Sequence, residues 1–285
     1  MGARGDRLLR AGLTRFLADR GEQVLEVERP RREGSRGRLK SDALDAERAA
    51  RLLLSGQRGG SPRLGAETRA LRALLVARES AVNERTAAGN QLRALVVTCP
   101  TQLRERLQAR PPAALVEACA HLRGGTDPER AGLCLALRSL ARRILHLRAE
   151  ADQLEHELAR RVQALAPQLL ARRGVGPLCA AWLLVSWSQP GRLRSEAAFA
   201  RLAGVAPIPA SSGKVVRHRL DRGGDRRLNR ALHTIVLSLR RTDHRTKTYI
   251  ARRVAESNSE RDAVRCLKRY LARSLFRQLE AMPRT

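Results

Sequence analysis

The sequence predicts a mainly α-helical chain with a small α/β portion at its amino end. Two long segments place apolar residues at alternating steps of three and four, the mark of a helix with one apolar seam. A single short run, Gln23–Glu28, reads as a strand. Hydrophobic residues make up 43% of the 285 positions but aromatics only 2%, so the core must be built from Leu, Val and Ala. The length suits roughly two domains of about 100–200 residues each.

Taken in order, residues 8–20 read as an amphipathic helix through Leu8, Leu9, Leu13, Phe16 and Leu17, with Gly21 as its stop. The strand at Gln23–Glu28 ends at Arg29-Pro30. Residues 31–40 form a basic loop, and Ser41 caps a helix that starts at Asp42 and runs to Leu54. Gly56 to Pro62 is a linker. The first long helix, about 66–97, carries a loose heptad at Leu71, Leu75, Arg78, Val82, Arg85, Gly89, Leu92 and Val96. Pro100, Pro111-Pro112 and Gly124-Gly125 then interrupt the helical pattern. Thr126-Asp127-Pro128-Glu129 is a helix start, with a capping side chain and Pro in the first turn. Behind it the heptad is unbroken: Leu133, Leu137, Leu140, Ile144, Leu147, Ala151, Leu154, Leu158. Two such helices suggest an antiparallel coiled-coil arm or a dimer interface, and a plain helical bundle accounts for them equally well. After Pro167 come a break at Gly174, an apolar helix over 178–187, a short helix over 195–203, a loop over 204–213 and a final amphipathic helix over 260–280. The domains expected are residues 1–60, a helical arm over 61–165, and a helical domain over 166–285.

Charge narrows the function. There are 56 basic and 28 acidic residues, a net charge of +28, and a folded chain so charged repels itself unless a polyanion neutralises it. No run of about 18 apolar residues exists to span a membrane. Met1 to Arg7 contains no apolar stretch of the secretory kind. Cys99, Cys119, Cys134, Cys179 and Cys266 are scattered, with no paired spacing for zinc or a disulfide framework. The expectation is a cytosolic protein with reduced thiols.

Four features could carry chemistry. Asp42 and Asp45 share one face of a helix's first turn and could ligate a divalent cation, or simply complement the dipole. Gly174-Val175-Gly176, between two apolar helices, looks like the hairpin of a helix–hairpin–helix element, whose glycines let the backbone meet phosphates, or like an ordinary turn. Pro207 to Lys214 contains Ser211-Ser212-Gly213, an exposed hydroxyl beside a basic stretch. From Lys214 to Arg245 there are ten basic and three acidic residues. Within that stretch Asp225 suits a helix cap, and Arg226, Arg227 and Arg230 crowd the first turns, where the dipole has no use for cations. Guanidinium forks pair with phosphate oxygens, so Lys214, Arg217, Arg219, Arg222, Arg226, Arg227 and Arg230 are candidate nucleic-acid contacts.

In order, Val27-Glu28-Arg29-Pro30, Lys40-Ser41-Asp42-Ala43-Leu44-Asp45-Ala46, the helix pair, Gly174-Val175-Gly176-Pro177, Phe199 to Pro207, Ser211-Ser212-Gly213-Lys214 and Arg222 to Leu232 resemble the DEDD-type transposases of bacterial insertion sequences, relatives of the Piv and MooV DNA invertases. The resemblance covers nearly the whole chain. It implies a RuvC-like, ribonuclease-H-fold nuclease domain, a coiled coil, and a C-terminal domain carrying a serine nucleophile. It implies an Mg²⁺-dependent recombinase acting on DNA at element ends and target, in some members guided by a structured RNA. It further implies a homo-oligomer joined through the coiled coil, in the bacterial cytoplasm at the nucleoid. Asp42 and Asp45 match the last two of the family's four metal-binding acids. Ser212 matches the serine, with Ser211 its alternative. The family's first Asp and its Glu lie upstream of the helix that is here residues 8–20, and no strand with an Asp precedes that helix. The expectation is therefore a truncated nuclease remnant at residues 1–60, with recombination impaired, or a non-catalytic DNA- or RNA-binding protein.

Overall fold

The computed structural model describes residues 12–14, 16–25, 46–47, 50–51, 54–55, 62–63, 65–209, 218–219, 221, 223–256 and 259–282. The chain is mainly helical. Ten helices are described in full: α1 (Ala66–Thr98), α2 (Thr101–Gln108), α3 (Pro112–Ala120), α4 (Pro128–Leu165), α5 (Pro167–Leu170), α6 (Pro177–Trp187), α7 (Glu196–Leu202), α8 (Arg226–Thr242), α9 (His244–Ala255) and α10 (Glu260–Glu280). Two-residue strands, β1 (Ile208–Pro209) and β2 (His218–Arg219), pair antiparallel. The chain divides into two compact units: Ala70–Leu183, and Met1–Arg69 with Leu184–Thr285.

Near the amino end, residues 12–14 and 16–18 are helical. Gly21, at φ +78°, ends the segment as expected. Its N–H bonds Ala18 O at 3.0 Å and the Glu22 N–H bonds Leu17 O at 3.0 Å, the paired closure of a left-handed helix end. The expected strand differs. Gln23, Val24 and Leu25 are irregular, and Glu26 to Glu28 lie outside the described residues. A strand exists only with a partner ladder, and none meets these residues among those described.

In the first unit, α1 and α4 run past one another. Arg78 on α1 bonds Glu155 on α4 at 2.9 Å, and Ala81 joins Leu147 and Ala151 in one apolar cluster. Further along, Ala88, Leu92, Val96 and Cys99 pack with Cys134, Leu137, Ala141 and Ile144, so the helices are antiparallel. Asp127 caps α4 by accepting from the Arg130 N–H at 2.7 Å. The seam departs from the expected heptad. On α4, Leu137, Ile144, Leu147, Ala151 and Leu158 are buried, but Cys134 and Ala141 take the places expected of Leu133 and Leu140. On α1, Ala81 and Ala88 replace Val82 and Gly89. Alanine and cysteine thus share the buried seam with the leucines. The short helices α2 and α3 cover the open end with Leu103, Leu107, Leu115 and Cys119.

In the second unit, α7, α8 and α9 each pack against α10. The Phe199 and Phe276 rings stack at 5.6 Å, and Leu228, Leu232, Ile235 and Leu275 are fully buried in the same unit. Trp187 Nε1 donates to Glu280 Oε1 at 2.6 Å, and the Gly191 N–H donates to Glu280 Oε2 at 2.9 Å. The five cysteines are unbridged. Burial, with Cys99 and Cys134 nearby, pushes the Cys119 thiol up to about 11, so it stays protonated and unreactive.

Candidate nucleic-acid interface

The most tightly determined turn in the second unit precedes α8. Ser195 starts α7, accepting from the Ala198 N–H at 3.2 Å. The helix closes at Gly204, φ +63°. There Val205 N bonds Ala200 O at 2.9 Å and Gly204 N bonds Arg201 O at 3.0 Å. A Cβ on Gly224 would overlap the backbone of Gly204 and Ala203. Two glycines thus let two backbones cross in contact. The Asp225 N–H donates to Leu202 O at 2.7 Å across the same crossing.

Each residue of Asp221 to Asn229 that the structure describes has a use. Asp221 Oδ1 accepts from the Gly223 N–H at 2.8 Å and tightens the turn. Asp225 Oδ1 caps α8, accepting from Arg227 N at 2.9 Å and Leu228 N at 3.2 Å. Leu228 is fully buried. Asn229 Nδ2 donates to Ala203 O at 2.7 Å, and its Oδ1 accepts from Lys268 Nζ at 2.8 Å. Burial, and then Arg265, push the Lys268 ammonium below the usual lysine range. Ribbon β1–β2 leaves from the end of α7 and returns to this turn, with Ile208 opposite Arg219 and Pro209 opposite His218. The first turn of α8 then presents Arg226, Arg227 and Arg230, all exposed. His233, one turn on, is also exposed. Partial burial, Lys268 and Arg240 hold its pKa down.

Some residues of the sequence-based site are placed by the structure. Arg226, Arg227 and Arg230 share the opening of one helix, capped as expected by Asp225. Arg219 lies in β2. Ser211, Ser212, Lys214, Arg217 and Arg222 lie outside the described residues, as do Asp42 and Asp45. Two carboxylates suit a hard, oxygen-ligated cation by donor type. Among the described residues no group of three or more His, Cys, Asp or Glu side chains gathers to hold a metal ion. Gly174 adopts φ +83°, a conformation that favours glycine. Gly176 has open space where a Cβ would be, so no steric need for glycine exists there. Sequence reasoning gave no role to Asn229 or Lys268. The signal was present: Lys268 stands in the apolar register of α10 with Val264, Leu271 and Leu275, and a cation there must be buried.

Two parts of the chain match known families. Residues 10–100 match the DEDD transposase family of IS110, and residues 166–251 match the family described as Transposase IS116/IS110/IS902. Two separate segments of the chain are thus similar to IS110-type transposase families. The chain is also similar, at 30% identity over 150 residues, to a Streptomyces coelicolor protein described as "Insertion element IS110 uncharacterized 43.6 kDa protein". That match covers 52% of this chain and 37% of the relative. The second matched segment contains the glycine crossing, the ribbon and the whole of α8, and it ends within α9. The first contains Asp42 and Asp45. No helix among the described residues is long and apolar enough to cross a membrane.

Proposed function

We propose that the chain acts on DNA as the transposase of an insertion element, by strand cleavage and exchange with Ser212 as nucleophile. One observation carries the reading. The glycine crossing and the Asn229–Lys268 brace join the root of ribbon β1–β2, in whose connecting sequence Ser212 stands, to the capped helix end that displays Arg226, Arg227 and Arg230. Arginines at a helix N-terminus oppose the dipole, and guanidinium groups pair with phosphate oxygens.

In this reading Arg226, Arg227 and Arg230 bind and orient the DNA backbone, joined by Lys214, Arg217, Arg219 and Arg222. The Ser212 hydroxyl attacks phosphorus, and its Oγ–P bond forms as the bond from phosphorus to one bridging deoxyribose oxygen breaks. The hydroxyl proton passes by water to that leaving oxygen. A divalent cation, Mg²⁺ by family, would be held by Asp42 and Asp45 and would polarise the phosphoryl oxygen. The RuvC-like character of residues 1–60, the arm over 61–165, the transposase domain over 166–285 and the kinship with Piv and MooV invertases belong to the same proposal. So do a phosphate-facing hairpin at Gly174 and Gly176, a structured guide RNA and a cytoplasmic place at the nucleoid. A homo-oligomer would use what α1 and α4 leave exposed, Val76, Val97 and Leu135, since much of the apolar seam is consumed within one chain.

The test is a denaturing gel of the protein incubated with labelled element-end DNA and Mg²⁺. A covalent adduct that disappears in Ser212→Ala, with DNA binding unchanged, supports the proposal. Binding with no adduct leaves a non-catalytic DNA- or RNA-binding protein.

A further inference from the structure

The chain has two tyrosines, and they meet. Tyr249 on α9 and Tyr270 on α10 lie edge to face, ring centroids 6.1 Å apart at 86°. Tyr249 is half-buried and Tyr270 is 56% exposed. The Arg252 guanidinium stands 5.7 Å from the Tyr249 ring centroid. Helical spacing puts Arg245 and Arg252 on the Tyr249 face of α9, and Arg273 one turn beyond Tyr270 on α10. Two carboxylates face the same cations. Glu256 pairs with Arg253 at 2.8 Å and with Arg252 at 3.7 Å, and Glu196 accepts from Arg273 Nε at 2.6 Å and pairs with Arg277 at 3.0 Å. Four arginines, Arg252, Arg253, Arg273 and Arg277, share these two acids, and Arg245 adds a further cation on α9. Tyr270 and Arg273 lie beyond the second matched segment.

Packing alone does not explain a ring so placed. Tyr249 holds the edge contact, and more than half of Tyr270 still faces water. An aromatic face inside an arginine rim is the chemistry that stacks an unpaired base while cations take its phosphates. A duplex keeps its base faces stacked inside and offers none to a ring, and an acidic peptide would use the arginines but not the ring. We propose that Tyr270, supported by Tyr249 and rimmed by Arg245, Arg252 and Arg273, is a stacking platform for an unpaired base of single-stranded DNA. The choice of DNA rests on the recombination reading, since strand exchange unpairs DNA; the platform itself does not depend on Ser212.

Fluorescence anisotropy of the full chain with a labelled oligothymidine, a duplex hairpin and an oligouridine, at one fixed salt concentration, tests this. Tyr270→Ala weakens oligothymidine binding about fivefold or more, Tyr270→Trp stays close to wild type, and duplex binding and the melting temperature hardly move. In wild type, an oligothymidine carrying 5-iodouracil crosslinks to Tyr270, a readout that needs no variant. Ser212→Ala leaves all of these unchanged, so failure of the nucleophile and failure of the platform are separable. Equal losses on single strand and duplex, unchanged oligothymidine affinity in Tyr270→Ala, or no wild-type affinity for the single strand would overturn the proposal. A clear preference for oligouridine would overturn the assignment to DNA.

Discussion

Lys268 Nζ donates a 2.8 Å hydrogen bond to Asn229 Oδ1, and the same amide donates from Nδ2 to Ala203 O at 2.7 Å. A buried cation on α10 thereby holds the first turns of α8 to the end of α7. Losing the asparagine strands the ammonium, whereas losing the ammonium leaves an amide that still bonds Ala203. Asn229→Ala should therefore cost more than Lys268→Met: about 2–4 kcal/mol against about 1 kcal/mol. Urea denaturation of both variants checks the order. A larger loss in Lys268→Met would mean that the pair is not the brace described.

The glycine crossing makes a contrast within one chain. Gly224→Ala forces a Cβ into the backbone of Gly204 and should cost at least ~2 kcal/mol. Gly176→Ala meets nothing and should change stability by less than ~0.5 kcal/mol. Melting temperatures of the two variants decide it, and equal losses would show that the crossing does not hold the turn.

Glu196 links α7 to α10 through Arg273 and Arg277, and its hydrogen bond to Arg273 holds the carboxyl below the usual glutamate range. A depressed folded pKa means that the contribution is present above the unfolded value of about 4.3 and lost as pH falls through the folded one. Wild type should be more stable than Glu196→Gln at pH 7, and the two should converge on acidification toward pH ~3. Denaturation curves across that interval measure the gap. A gap that stays constant or widens in acid would show that the ion pair is not its source.

The paired long helices show where the sequence was legible. The lengths of α1 and α4 followed from apolar spacing and the start of α4 from Asp127-Pro128, while their antiparallel pairing was one of the alternatives that spacing left open. The exact seam did not follow, because spacing read in leucines overlooks Ala81, Ala88, Cys134 and Ala141, which are buried in it. Leu137, fully buried, should lose about 2–5 kcal/mol on truncation to Ala. Leu133, expected in the seam but partly exposed beside it, should lose about 1 kcal/mol. Helix α9 was not anticipated, since Asp243 caps it straight after α8 with no Gly or Pro between. The Asn229–Lys268 brace joins residues 39 apart, and no local pattern encodes that meeting. The acids and the serine of the proposed chemistry were legible only by resemblance, because two carboxylates on a helix turn and a Ser-Ser-Gly sequence each have ordinary uses.

DNA binding should behave as a polyelectrolyte contact. Arg226→Ala and Arg230→Ala should each weaken binding similarly across DNA sequences and lower the slope of log affinity against log salt by about one. Titrations at several salt concentrations give the slopes. Unchanged slopes in both variants would take the opening of α8 out of the interface.

The covalent role of Ser212 stands or falls on peptide mass spectrometry of the nuclease-trimmed protein–DNA adduct. A nucleotide mass is expected on the peptide containing Ser211 and Ser212, with fragmentation placing it on Ser212. A nucleotide on Ser211, on any other residue, or on none after strand cleavage has occurred would refute that role.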